Sequence, residues 1–391
     1  MYKNLAAALA AACCLAPVWA ASPPNPASTA SAPAKAVPLQ RPVKAAFVYV
    51  TPVLDAGWTT QHDAGRRQLQ TQLGDQVQTT VVADVAEGPD AERVIRDLAA
   101  NGNDIIFTTS FGYMEPTMRV ARDFPQVKFE SVTGFKRADN VATSNARYYE
   151  GRYLSGIAAA RLSQTGVAGF VAGFPIPEVI QGINAFVLGM RSVNPKAQVK
   201  VVWLNAWFDP PREREAAMAL MNEGADVLSF QVASTAVMGA AQERGKMAIA
   251  FHSDMRKAGP QAQLLAVTHQ WGGYDTARVR ALQKGEWKSQ DTWGGVREGM
   301  IRVDSFGPRV PKDVRMEVQQ RQQAACLPRR CRAHSRQPGP GAHSGRQHAA
   351  GRGHSADELA GRRRGRTAAA LSPAAPHRRP CHRRGRGVTA C

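Results

Sequence analysis

The sequence predicts an α/β protein of two lobes, each an open, mostly parallel sheet flanked by helices. Three observations carry that reading. Short β-branched runs alternate with helical patterns from residue 44 onward; the alternation restarts as a second complete array after residue 146; and 391 residues are enough for two cores, since single domains commonly run to roughly 100–200 residues.

In order, the first array reads as strand Ala45–Val50, helix Thr60–Leu73, strand Thr79–Ala83, helix Pro89–Asn101, strand Asp104–Thr109, helix Glu115–Asp123 and strands Val127–Val132 and Val141–Asn145. The second reads as helix Glu150–Ser163, strand Val167–Ala172, helix Pro177–Val193, strand Gln198–Leu204, helix Pro211–Gly224, strand Val227–Gln231, helix Thr235–Arg244 and strand Met247–Phe251. The run Gln263–Thr268, followed by helix Gly273–Gly285, crosses back to the first lobe. Pro89, Pro177 and Pro211 sit where a first-turn proline is tolerated, and Thr60-x-x-Asp63 has the form of a capping box.

Outside this body the composition changes. Lys3, the apolar run Leu5–Leu15 and the small-residue end Val18-Trp19-Ala20 read as a secretory signal over residues 1–20, too short to span a bilayer. Cys13 or Cys14 is an alternative lipid attachment point, though Ala10-Ala11-Ala12 is a poor lipobox. Residues 21–43, rich in Pro, Ala and Ser, read as a flexible linker. Lobe one is expected over residues 44–146 plus about 269–303, and lobe two over 147–268 plus about 304–323.

The net charge of +19 belongs mostly to residues 324–391, where fifteen arginines and two acids leave only +5 on residues 22–323. That tail has no Lys and no aromatic residue, so it cannot build a core and is expected to be disordered. It reads as the product of a frameshift in a GC-rich gene; the alternative is an Arg-rich arm for nucleic acid. Four of the six cysteines lie in it at spacings that fit no zinc pattern, and the body has no cysteine and only His62, His252 and His269. No metal site and no cofactor are expected.

In open α/β sheets ligands bind beyond the carboxyl ends of the strands, so the loops that follow the strands carry the candidates. After the first strand come Asp55, Trp58 and Thr59; after the third, Ser110 and Phe111; in the second lobe, Asn205, Trp207 and Phe208, then Gln231–Thr235, then Ser253-Asp254 and His269-Gln270-Trp271. Trp58 and Phe111 can equally be packing residues. Aromatic faces with a few amides, hydroxyls and carboxylates suit a planar, nearly neutral ligand, and a nucleobase fits. The body holds no Walker loop, G-x-G-x-x-G, G-x-S-x-G elbow or His-Glu-x-x-His pair. His62 and Asp63, adjacent on a helix, point apart and read as surface and cap residues.

Several segments, in order, resemble the basic membrane protein (BMP) family of ABC-importer substrate-binding proteins, which is related to nucleoside receptors. They are Asp55-Ala56-Gly57-Trp58, Gly102–Phe107 with Thr108–Gly112, Tyr149–Gly156, and Gly182–Phe186 running to Val193-Asn194-Pro195. The resemblance covers about residues 44–315. It implies the two-lobed type I periplasmic-binding-protein fold with three hinge crossings and a binding role without catalysis. It also implies a periplasmic location, an ABC permease in the inner membrane as partner, and a monomer. Trp58 then matches an aromatic that stacks on a purine, Asp55 a pocket carboxylate, Asp254 a carboxylate for ribose hydroxyls, and Trp207 with Phe208 a second pocket aromatic. The sequence departs from nucleoside-binding relatives at Trp58-Thr59, at Ser253-Asp254-Met255 and at His269-Gln270-Trp271, which makes a free purine base such as adenine a candidate. Family members continue beyond Gln323 in an ordered segment that the Arg-rich tail replaces here. A different solute, a sugar or signalling furanoside, is the alternative ligand, and a nucleic-acid interaction through the tail is the alternative from another class.

Overall fold

The computed structural model describes residues 38–325. The expected signal, the lipid-attachment cysteines, most of the linker and the Arg-rich tail from residue 326 onward lie outside the described residues, while Ala324 and Ala325, expected in the tail, end helix Lys312–Ala325.

Two six-stranded sheets form, one per lobe. In the first, β1 (Val43–Val48), β2 (Val77–Val82), β3 (Ile105–Thr108), β4 (Lys128–Val132), β5 (Val141–Ala146) and β11 (Asp291–Gly294) run in the order β11-β5-β4-β3-β1-β2, all parallel. In the second, β6 (Val167–Ala172), β7 (Gln198–Trp203), β8 (Val227–Gln231), β9 (Met247–His252), β10 (Gln263–His269) and β12 (Ile301–Asp304) run in the order β12-β10-β9-β8-β6-β7, parallel except for β12. The central strands are apolar on both faces because helices cover both, as a parallel sheet requires. These helices are α1 (Trp58–Leu73), α2 (Pro89–Ala100), α3 (Met114–Asp123) and α8 (Gly272–Gln283) on lobe one. Lobe two has α4 (Tyr148–Leu162), α5 (Pro177–Arg191), α6 (Pro210–Asn222), α7 (Ala236–Glu243) and α9 (Lys312–Ala325).

The chain crosses between lobes three times: after β5, after β10, and between β11 and β12. Arg147 joins the first and third crossings. Its amide donates to Gly294 O at 2.7 Å, and its guanidinium reaches Glu150, Glu298 and the Trp293 carbonyl. At the second crossing Gln270 N donates to Met300 O at 2.9 Å.

Differences from the sequence expectations are local. The last crossing comes earlier than residue 303, since Ile301–Asp304 already pairs with β10; four-residue strands such as β11 and β12 carry no period to read. Residues 38–43, expected in the linker, are tied down: Leu39 N donates to Gln283 O at 2.9 Å and Arg41 pairs with Asp104 at 2.6 Å. Thr60 and Asp63 form no capping box, because α1 starts two residues earlier, behind Gly57. Thr60 Oγ1 instead donates to Leu54 O and accepts from Leu54 N, and Asp63 takes Arg66 and Arg67, both at 2.7 Å. A buried polar cluster around Glu130 is structural: Arg278, Tyr274 and Trp287 all donate to it, locking α8 onto β4.

Candidate functional site

Each sheet reverses its strand order once. In lobe one the reversal falls between β1 and β3, in lobe two between β6 and β8. At such a point adjacent strands send their connections to opposite faces, which opens a crevice beyond their carboxyl ends. The two crevices face each other across one cleft of about 460 Å³, part of it open to solvent. Lobe one supplies Val50, Thr51, Trp58, Ser110, Phe111 and Thr133; lobe two supplies Ile176, Glu178, Trp207, Gln231, Val232, Ala233 and His252. No Lys or Arg stands on this wall.

Local chemistry holds each group in place. Trp58, the first residue of α1, donates from Nε1 to Thr109 O at 2.8 Å, which anchors its edge across the switch point. His269 stacks on Trp58 at 5.2 Å and His252 meets it edge-on at 5.0 Å. Ser110 donates to Glu87, which also accepts from Gly112 N at 3.0 Å. Trp207 packs against Phe174 at 5.0 Å, and its Nε1 has no partner. Thr133 and His252, at the ends of β4 and β9, are held at φ 63° and 71°. A left-handed conformation costs such residues about 1–2 kcal/mol each, and strain of this kind collects where a fold aims a side chain at a site.

Glu178 is the one carboxyl on the wall. Gln231 Nε2 donates to its Oε1 at 2.9 Å, while Oε2 lacks a partner of hydrogen-bonding geometry, although the Asn145 amide is close enough to act on it. Burial pushes the carboxyl up to about 7, against the downward pull of Asn145, Gln231 and the Arg152 charge.

Of the expected site residues, the cleft brings together Trp58, Ser110, Phe111 and Trp207. The others lie elsewhere. Thr59 is buried with its hydroxyl 2.7 Å from that of Thr51. Trp271 is fully buried, stacked on His62 at 4.8 Å and donating to His269. Asp55, Asn205 and Phe208 are exposed on the loops before α1 and α6. His62, expected at the surface, is 2% exposed.

Residues 42–327 match the Bmp family, described as ABC transporter substrate-binding protein PnrA-like. The chain belongs to this family. Over 273 residues it is 50% identical to a purine-binding protein of Brucella abortus (strain 2308), an alignment spanning 70% of this chain and 78% of that one. It is 39% identical over 276 residues to a putative ABC transporter glucose-binding protein of Haloferax volcanii, covering 71% and 70%. Its fold also matches an ABC transporter solute-binding protein of Aeropyrum pernix K1 with a TM-score of 0.63 at 20% identity, over 73% of this chain and 91% of that structure.

In this Bmp-family chain the carboxylate expected to meet ribose is already engaged. Asp254 accepts from the Arg256 guanidinium and backbone and from Gln263 Nε2 at 2.9 Å, and does not reach the cleft wall. The residues missed by strand-end reading are Glu178, His252, Thr133 and Ile176. A systematic reading of the loops after β4 and β6 reaches Thr133, Ile176 and Glu178.

Proposed function

We propose that this Bmp-family chain is the periplasmic, ligand-capturing component of an ABC importer, and that it binds a purine base, or a nucleoside through its base, in the interlobe cleft. The observation that carries the ligand class is the wall itself. Trp58 and Phe111 from one lobe oppose Trp207 from the other, with an amide and a carboxyl and without a cation. Flat aromatic faces suit a heterocycle, and stacking is worth roughly 1–3 kcal/mol per base. A phosphate finds no charge partner there.

The ligand works by bridging the lobes. Contact with both stabilises the closed form, and only a ligand that prefers that form shifts the equilibrium. The chain acts as a monomer, performs no catalysis, and hands its ligand to a membrane permease. Asp55, Thr59, Asn205, Phe208, Asp254 and Trp271 then support loops or come to the ligand only on lobe movement.

The 39% identical relative described as a putative glucose-binding protein favours a sugar as second reading. Thermal melts in the presence of adenine, adenosine, guanine and glucose decide between them, since a bound ligand raises stability by about 2.7 kcal/mol at a hundredfold excess over Kd. Purines are expected to raise the melting temperature. A larger shift with glucose than with any purine rejects the ligand class.

A further inference from the structure

The cleft contains a carboxyl whose orientation is fixed from behind by a relay. Arg152 on α4 is fully buried, its guanidinium 3.2 Å above the Phe251 ring. It donates to Ser229 Oγ at 2.8 Å, to Phe230 O at 2.7 Å and to Gln231 Oε1 at 3.4 Å. An arginine only donates, so the Gln231 oxygen must face Arg152 and its amide N–H must face the other way. That amide holds Glu178 Oε1 at 2.9 Å. The result is a carboxyl on the cleft wall, at the first turn of α5, with one oxygen committed and the other, Oε2, lacking a hydrogen-bonding partner. A buried acceptor without a well-aligned partner is costly; the Asn145 amide stands near the carboxyl without hydrogen-bonding geometry to Oε2, and a ligand N–H supplies an aligned donor.

We propose that Glu178 is the specificity-determining residue of the cleft, accepting a hydrogen bond from an N–H of the bound heterocycle, with Gln231 and Arg152 as the residues that position it. This rests on the purine reading above and adds to it which group reads the base. Trp207 Nε1, also without a partner, is the complementary donor for a ring nitrogen. A base offering both an N–H and a bare nitrogen satisfies both groups; one methylated at the N–H leaves the carboxyl unpaired.

The test titrates the full chain, Glu178→Ala and Glu178→Gln with three probes. These are adenine, adenine methylated at the ring nitrogen that carries the sugar in nucleosides, and adenine dimethylated at its amino group. Thermal melts report folding, and Glu178→Gln keeps the shape of the side chain if the alanine variant unfolds. The wild type is expected to bind adenine, and removal of the carboxyl to weaken it roughly tenfold to a hundredfold, as loss of a charge-assisted hydrogen bond does. One methylated probe is expected to bind the wild type more weakly by a similar factor and to be insensitive to the substitution. Adenine binding within twofold of wild type in a folded Glu178 variant overturns the inference while leaving the purine reading intact. Equal weakening of all three probes overturns it too, assigning Glu178 a supporting role. A wild type that binds no purine rejects the ligand class and this inference with it.

Discussion

Three histidines, from positions 62, 252 and 269, converge at the cleft, His252 on its wall, with His269 5.2 Å from His62 and 4.8 Å from His252. Burial holds all three far below the ordinary histidine range, His269 down to about 3, and their mutual repulsion adds to it for His62 and His252. They are therefore neutral in the folded chain. Below pH about 6.5 the unfolded chain takes up protons that the folded chain refuses, so stability is lost as pH falls. The expected loss is on the order of 4 kcal/mol per pH unit for the three, measured by urea unfolding between pH 6 and 4.5. His62→Gln is expected to reduce that slope by about a third; an unchanged slope contradicts the assignment. Glu178 acts with the opposite sign. Its raised value of about 7 means the unfolded chain ionises first as pH rises, so stability falls between pH about 4.5 and 7 and is level above. Glu178→Gln is expected to gain up to about 2–3 kcal/mol on wild type across that window, read from the same unfolding curves. Little of this was legible in the sequence. The histidines lie up to 207 positions apart and only the two-lobed fold brings them together, while Pro177-Glu178 reads as an ordinary first-turn pair with an acid at a helix N-terminus. Trp58 was legible because it closes the loop that leads from the first strand into α1.

At the scale of elements, the loop before α1 is where the lobes lock. Gly57 N donates to Ser253 Oγ at 2.9 Å, and that hydroxyl lies 3.1 Å from Gly57 O, where it can donate in return. Ala56, a lobe-one residue, is buried in the apolar cluster of lobe two with Val232, Met238 and Met255. Gly57 has φ 106°, and a Cβ there would sit 2.5 Å from Ala233 O. Backbone and space both exclude a side chain. Ser253→Ala is therefore expected to weaken ligand affinity about fivefold to thirtyfold by favouring the open form, with a larger radius of gyration in solution scattering. Gly57→Ala is expected to do the same more strongly, and unchanged scattering and affinity in both variants contradict the lock. The α/β alternation that places this loop was legible, because β-branched runs and first-turn prolines mark the elements. The lock was not, since Ala56-Gly57 carries no apolar period and Ser253 lies 196 positions from Gly57.

For the whole molecule, three crossings join two sheets so that their switch points face one another, and the last helix closes the second lobe. Val314 and Val318 of α9 are buried in the core of lobe two, Arg161 pairs with Glu317 at 2.9 Å, and Gln322 Oε1 accepts from Val303 N at 2.7 Å. Ending the chain after Ala325 is expected to leave melting and ligand affinity unchanged. Ending it after Pro311 removes two buried valines, about 1.5–3 kcal/mol each, and is expected to lower the melting temperature by several degrees or more; equal melting of the two truncations contradicts the role given to α9. The break in composition near residue 324, where an Arg-rich stretch without aromatics begins, was legible in the sequence; α9 runs on through Ala325.

The cleft between the lobes is expected to take a purine ring against Trp58. Calorimetric titration of the chain and of Trp58→Ala with adenine and with glucose, side by side, tests it most directly. The chain is expected to bind adenine, the variant to bind it at least about fivefold more weakly as loss of stacking requires, and glucose to release no heat of binding. Tighter binding of glucose than of adenine, or equal adenine affinity in the two proteins, would contradict it.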